Sequence, residues 1–389
     1  MDNRIGLITF HSSYNCGSML QAYALQQVLN NIPNSNNELI NFVGEGQKRF
    51  YSILVKPKNI KEIIKNIMFG IFYKKINSNY EDYRKFINEY LNLSEKEYGS
   101  TEELEKSHLD YNILICGSDQ VWNTKCLDFE DAYFLSFKNN VKKIAYATSM
   151  AANNIIGQGK EIENRYRKYL MDFDNISVRE RNAKLWLEEL AGRKIDITAD
   201  PTLLISSDEW SKLAFPKIEE EYIFYYSMWY TKEINKEIQK ISKKYNMPVY
   251  VIDAKEWVRR GLWNYGFKLA PNGGPRMFLS LIKDAKLVFT SSFHGTVFAS
   301  IFKRNFWYIK SNIANSNDDR ASFILEQLGL EEKLITKEKI QVIDLWEKVD
   351  FIEVHKKIDA LKEYSNKYLY ESLEEQYNKE KKVIKDENK

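Results

Sequence analysis

Cysteine, histidine and proline are all scarce in this chain: three, four and seven among 389 residues. Cys16, Cys116 and Cys126 are odd in number and have neither CxxC nor metal-type spacing. No disulfide framework and no thiolate metal centre is expected, and the thiols suit a reducing cytosol. The His, Asp and Glu residues form no ligand-like cluster, so no metal is expected. No GxSxG elbow occurs, which argues against a hydrolytic triad of that type. Long apolar runs are missing as well: nothing approaches the ~18 residues of a spanning helix. The opening MDNRIGLITF has no cationic region followed by an apolar stretch and cleavage site. A cytoplasmic protein is expected. An excess of one charge is also lacking, since 57 Lys plus Arg face 54 Asp plus Glu for a net +3, and there is no basic arm. Nucleic acid is therefore not an expected partner.

What remains is an ordinary soluble composition, 44% hydrophobic and 29% charged, with a mean hydropathy of -0.50. The length calls for two domains. The chain is organised around Ala285 to Phe302, AKLVFTSSFHGTVFASIF. Leu287 to Phe289 is an apolar run of strand length, Thr290 to Ser292 supplies hydroxyls, and Gly295 opens a segment of helical length. A strand-to-helix turn aims backbone N–H groups and the positive end of a helix dipole at one point, which suits an anion. Ser291, Ser292, His294 and Gly295 are candidate site residues on that ground. The plainer alternative for His294 is a buried ring satisfied by backbone.

Arg4 to Phe10 reads as a central strand, followed by a loop in which Asn15 and Gly17 mark a turn, then a helix over Met19 to Leu29. Cys16 in that loop is either a small residue filling a tight space or a somewhat reactive thiol. Leu39 to Val43 is the expected second strand. Between residues 44 and 105 the character changes. Ile60, Ile63, Ile64, Ile67, Met68, Ile71 and Phe72 recur at helical spacing among Lys56, Lys58, Lys61, Lys65, Lys74 and Lys75. This is either a helix packed on its own domain or an interfacial helix resting on an anionic membrane through residues 56–75. Asn79 to Leu93 reads as a further surface helix.

The strand Tyr111 to Ile115 delivers Ser118, Asp119, Trp122 and Asn123, a polar loop for hydroxyls with one flat ring for a sugar to stack on. An Asp that merely caps a turn is the alternative. Ile176 to Val178 places Arg179 at a strand end, where its fork suits a phosphate or carboxylate; a salt bridge to Glu180 or a nearby Asp is the competing reading. Ala199, Asp200 and Pro201 read as a crossing between domains. Strands and helices alternate again from Tyr222, with Trp257, Trp263 and Tyr265 as candidates to line a cleft. From Val354 the chain is helical and charged. The expected fold is α/β, two Rossmann-like domains facing across a cleft: residues 1–200 with a helical insertion at about 44–105, residues 201–345, then a C-terminal helix and charged tail at 346–389.

ITFHSSYNCGSMLQAYAL, ICGSDQVWN, ISVRERNAKLWLEEL leading to DITADPTLLI, and AKLVFTSSFHGTVFASIF followed by DDRASFILEQLGL together resemble the polysaccharide pyruvyl transferase family. The likeness spans most of residues 4 to 330 and thins over 44 to 105. It implies a glycosyltransferase-B-like pair of domains with no cofactor. It also implies transfer of the pyruvyl group of phosphoenolpyruvate onto two sugar hydroxyls, forming a cyclic ketal and releasing phosphate. The acceptor would be a sugar or lipid-linked oligosaccharide of a cell-envelope or capsular polysaccharide precursor. The protein would then be cytoplasmic or peripheral at the inner face of the membrane. The family's essential Arg and His correspond to Arg179 and His294, both holding the donor, and Asp119 is the candidate to orient or deprotonate the acceptor. The competing readings are a nucleotide-sugar glycosyltransferase of the same architecture and a non-catalytic glycan-binding relative.

Overall fold

The computed structural model describes residues 3–310 and 317–387, with side chains as far as Glu374. Its strands form two six-stranded sheets in which every pairing is parallel. The first contains β1 (Asn3–Ile8), β2 (Ser35–Leu39), β3 (Ile113–Cys116), β4 (Lys142–Thr148), β5 (Asn175–Val178) and β6 (Asp196–Ile197), in the order β2-β1-β3-β4-β5-β6. The second contains β7 (Ile223–Tyr226), β8 (Val249–Val251), β9 (Lys268–Leu269), β10 (Leu287–Thr290), β11 (Phe306–Lys310) and β12 (Leu334–Thr336), in the order β12-β11-β10-β7-β8-β9. Parallel strands need crossovers, and helices on both faces supply them. The inner strands are accordingly continuous apolar runs, such as ILIC in β3 and LVFT in β10, buried at every position. This is the expected pair of Rossmann-like halves with a helical C-terminal segment.

Each strand order reverses once, between β1 and β3 in the first sheet and between β7 and β10 in the second. Loops leaving adjacent strands at such a point diverge and open a crevice beyond the carboxyl ends. Helix α1 (Cys16–Asn30) leaves the first reversal.

The second strand lies earlier than the apolar run Leu39 to Val43 suggested. β2 is SNNEL, an edge strand whose only strand partner in the sheet is β1, and on its outer side Leu39 bonds through its backbone to Asn92 and Ser94. Ile40 and Phe42 are buried beyond its end instead of within it. An edge strand has one partner and one open side, so polar residues suffice for it.

The insertion holds α2 (Ile60–Ile71) and α3 (Tyr73–Tyr90). Only Phe69 of α2 is buried, and the isoleucine stripe faces outward. Helix α3, expected at the surface, buries Ile76, Asn79, Tyr80, Tyr83 and Phe86. It packs on α4 (Gly274–Asp284) of the second half, and Asp82 accepts from the Gly273 N–H at 2.8 Å. The insertion therefore ties the two halves together. Helix α5 (Phe293–Ile301) follows β10 and is buried throughout. Helix α6 (Phe351–Glu387) runs from the second half back to the first: His355 Nε2 lies 3.2 Å from the Ser300 carbonyl, and Tyr368 donates to the Ala145 carbonyl at 3.2 Å. Side chains of the charged tail lie outside the described residues.

Candidate active site

Helices α1 and α5 begin at the two reversal points, and each is capped by the residue before it. Asn15 Oδ1 accepts from the N–H groups of Gly17 (2.9 Å) and Ser18 (3.3 Å). Ser292 takes two first-turn N–H groups of α5: Gly295 donates to its hydroxyl at 3.4 Å, and Thr296 to its carbonyl at 3.1 Å. Those of Phe293 and His294 are left without an acceptor among the described residues. The two helix starts meet, with Gly17 against the imidazole of His294. A Cβ at Gly17 would overlap Nδ1 and Cγ of that ring, and one at Gly295 would overlap Thr290 Oγ1. Gly295, a candidate site residue, and Gly17, which marks the turn before α1, are both required by close packing. The positive ends of two helix dipoles thus converge on one place.

Beneath His294 lies a charged cluster from the first half. Arg179 is buried, with its guanidinium 4.6 Å from the centroid of the Phe293 ring. Its Nη1 donates to Asp200 Oδ2 at 2.5 Å and its Nη2 to Asp119 Oδ1 at 3.1 Å. The fork expected to grip a phosphate or carboxylate is engaged by two nearby aspartates, the salt-bridge alternative, and Glu180 lies 4.0 Å from its Nε. Ser18 Oγ donates to Asp119 Oδ2 at 2.5 Å, and Thr202 donates to Asp200 Oδ1 through its N–H (3.0 Å) and hydroxyl (2.7 Å). Burial works to raise both aspartates. The Arg179 guanidinium and the neighbouring His294 ring, together with these hydrogen bonds, outweigh it and hold both carboxyls below the usual range. His294 Nε2 lies 3.4 Å from Asp200 Oδ2 but out of line, so it makes no hydrogen bond.

Glu180 sits behind Arg179. Its Oε1 accepts from the N–H groups of Met150 (2.7 Å) and Ala151 (3.2 Å), while Oε2 makes no hydrogen bond and lies 4.0 Å from Arg179 Nε. Burial pushes this carboxyl up to about 7. Across the opening Arg320 forms a bidentate pair with Asp318, at 2.8 and 2.7 Å. Asn15, Ser18, Asp119, Asn123, Lys125, Arg179, Ser291, Ser292, His294 and Arg320 all border one cavity of about 410 Å3.

Other expected site residues lie elsewhere. Ser118 is buried behind Asp119, where its hydroxyl donates to the Ala147 carbonyl at 2.8 Å. Trp122 has 0% exposure: its ring stacks on Phe134 at 4.8 Å, and its Nε1 donates to the Tyr133 carbonyl at 2.9 Å. It has no face to offer a sugar. Cys16 is buried beside the Tyr83 hydroxyl, and burial pushes its thiol up to about 12, which removes the reactive reading. Trp257 and Trp263 pack on Phe72, and Tyr265 on Phe267, away from His294.

A second cavity, of about 540 Å3, shares Asn15 and Met228 with the first. Its walls carry Tyr14, Tyr51, Tyr80, Tyr83, Tyr226 and Tyr230, with Arg49, Asp253, Lys255 and Arg259. Burial raises Asp253 to about 6 and lowers Lys255 to about 8. Residue patterns did not point to it, because half of its tyrosines come from the insertion. Asp200, Glu180, Ser18 and Arg320 were missed too. The signal was available for two of them: Asp200 and Arg320 stand in the ADP and DDR triplets of the segments that carry the family likeness.

The family model for polysaccharide pyruvyl transferase matches residues 15–312. The chain belongs to that family. No curated protein matches it by sequence. Among solved structures it is similar to a UDP-N-acetylglucosamine 2-epimerase, with a TM-score of 0.54, 12% identity and 97% of each chain covered. An S. aureus MnaA–UDP structure gives a TM-score of 0.52, 13% identity and 97% of each chain. At that identity the likeness shows the fold alone, a glycosyltransferase-B-like arrangement. Among the described residues of this family member, no group of three or more His, Cys, Asp or Glu is placed to hold a metal ion. None of its described helices is long and apolar enough to cross a membrane.

Proposed function

We propose that the protein transfers the pyruvyl group of phosphoenolpyruvate to two hydroxyls of a sugar in a cell-envelope polysaccharide precursor. The observation that carries this reading is the meeting of two helix starts over His294, in a cavity that also holds Arg179, Arg320 and Lys125. Phosphoenolpyruvate has two anionic groups. The free N–H groups of Phe293 and His294 suit one, and Lys125 with the Nη1 that Arg320 keeps outside its pair with Asp318 suits the other. Arg179, already neutralised, acts from behind by fixing Asp119 and Asp200.

In the reaction one sugar hydroxyl adds to C2 while C3 gains a proton. The C2–O bond to phosphate then breaks, the second hydroxyl closes the ketal at C2, and its proton leaves with phosphate. His294, whose ring borders the cavity while its Nε2 lies 3.4 Å from Asp200 Oδ2, is the residue assigned to proton transfer. Asp119 is held ionised, so it orients a hydroxyl better than it removes a proton. The tyrosine-walled cavity beside the site is the place for the acceptor, whose ring faces suit aromatic walls.

Calorimetry with phosphoenolpyruvate and with UDP-N-acetylglucosamine, on the wild type and on Lys125→Ala, tests the donor. Binding of phosphoenolpyruvate alone, weakened about tenfold or more in the variant, is expected. Binding of the nucleotide sugar instead would favour a glycosyltransferase, and binding of neither a non-catalytic relative.

A further inference from the structure

The outward face of α2 is apolar to an extent that an ordinary solvated helix is not. Ile60, Ile64, Ile67 and Ile71 follow one another at intervals of four, three and four, which places them on a single stripe with Ile63 beside it. All five are exposed, Ile60 at 72% and Ile71 at 76%. Phe50, Leu54 and Tyr73 are exposed around them. The opposite side of the same helix is mixed, with Glu62, Lys65 and Asn66 beside Met68 and Phe69. Glu62 and Lys65 border the tyrosine-walled cavity, and Phe69 plugs the core. A soluble helix normally turns its apolar stripe inward, so this one is reversed.

Charge identifies the occupant. Residues 56–75 contain six lysines and a single acid, Glu62, and that acid is paired with Arg49 at 3.2 Å. Lys56, Lys58, Lys61, Lys74 and Lys75 are exposed at the two ends and along the flank of the stripe. A protein partner of complementary charge would need acids facing these lysines around an apolar ridge one helix wide. A bilayer with anionic headgroups provides both features at once, since isoleucines enter the acyl boundary while lysines reach outward to phosphates.

We infer that the α2 face docks on the surface of an anionic membrane, with the helix lying in the interfacial plane. This inference does not rest on the pyruvyl transfer reading. If both hold, docking sets the acceptor cavity directly under the headgroups, because α2 is a wall of that cavity on its inner side, and a lipid-linked saccharide becomes the fitting acceptor.

The test is co-sedimentation of the full chain with vesicles, of phosphatidylcholine alone or of phosphatidylcholine mixed with phosphatidylglycerol. The variants are Ile64→Asp/Ile67→Asp and Lys61→Glu/Lys74→Glu, all at exposed positions, with thermal melts to show that they fold. The wild type is expected to pellet with the anionic vesicles at low salt and to be released as salt rises. Each double variant should bind about tenfold less or weaker still, with an unchanged melt. Absence of sedimentation at low salt would overturn the inference, as would binding that ignores the isoleucine substitutions. So would a wild-type dimer, seen by ultracentrifugation, that the isoleucine variant dissociates. Phosphoenolpyruvate calorimetry is blind to all of these outcomes, so failure of the docking and failure of the donor assignment are separate results.

Discussion

Gly17 of the first half and His294 of the second touch so closely that a methyl group on the glycine would overlap the imidazole. One backbone position thereby fixes the ring of the other half. Gly17→Ala adds that methyl at the first turn of α1, where alanine is the better helix former. The overlap with a buried ring outweighs that propensity gain, and folding stability should fall by about 1–3 kcal/mol. Transfer activity should fall on the order of 100-fold because the ring is displaced. A melt and a phosphate-release assay together check this, and an active variant would mean that His294 needs no fixed orientation.

Arg179 neutralises Asp119 and Asp200 inside the protein. Arg179→Ala leaves both carboxylates buried without their cation, at a cost of roughly 3–5 kcal/mol. Urea unfolding measures it. Arg179→Lys keeps the charge but not the fork, and should recover only part of the loss. Equal stability of wild type and alanine variant would show that the cluster is not formed in solution.

Trp122→Ala empties a fully buried indole site and should cost about 3–5 kcal/mol. Trp122→Phe keeps an aromatic ring against Phe134 and should leave acceptor KM unchanged. A large rise in KM for the phenylalanine variant would return the ring to the sugar site.

Glu180 gives the pH dependence. Its folded pKa is raised to about 7 from a reference of 4.5, so between these values the folded state holds a proton that the unfolded state has lost. Stability therefore falls as pH rises from about 4.5 through 7, by on the order of 3 kcal/mol. Asp253, raised to about 6, adds a smaller loss of the same sign. Asp119 and Asp200 are depressed and contribute the opposite slope only at lower pH. Glu180→Gln should flatten the decline in Tm between pH 5 and 7.5, conditions set by the ~2.5-unit gap between folded and unfolded values. An unchanged slope would remove Glu180 as its source.

The alternation of strands and helices was legible because both sheets are parallel and buried, which forces apolar runs of strand length. The polar edge strand β2 escaped for the converse reason: its one-sided pairing demands no apolar residues. His294 and Arg179 stood out by position at strand ends. Trp122 misled because a Trp in a polar loop looks like a stacking platform, and nothing local tells that Phe134 covers it. Asp200 hid behind the proline that follows it, and Arg320 behind the aspartates before it. The orientation of α2 was beyond a periodicity argument, since an apolar stripe has the same spacing whether it faces a core or a bilayer.

Helix α6 is anchored at both ends of its path, by His355 on Ser300 in the second half and by Tyr368 on Ala145 in the first. A hinge that swung the halves straight apart would pull one anchor from its carbonyl. The bond from Gly273 to Asp82 of the insertion would break in the same motion, so the halves are stapled twice and the molecule is built as a closed frame more than as a jaw.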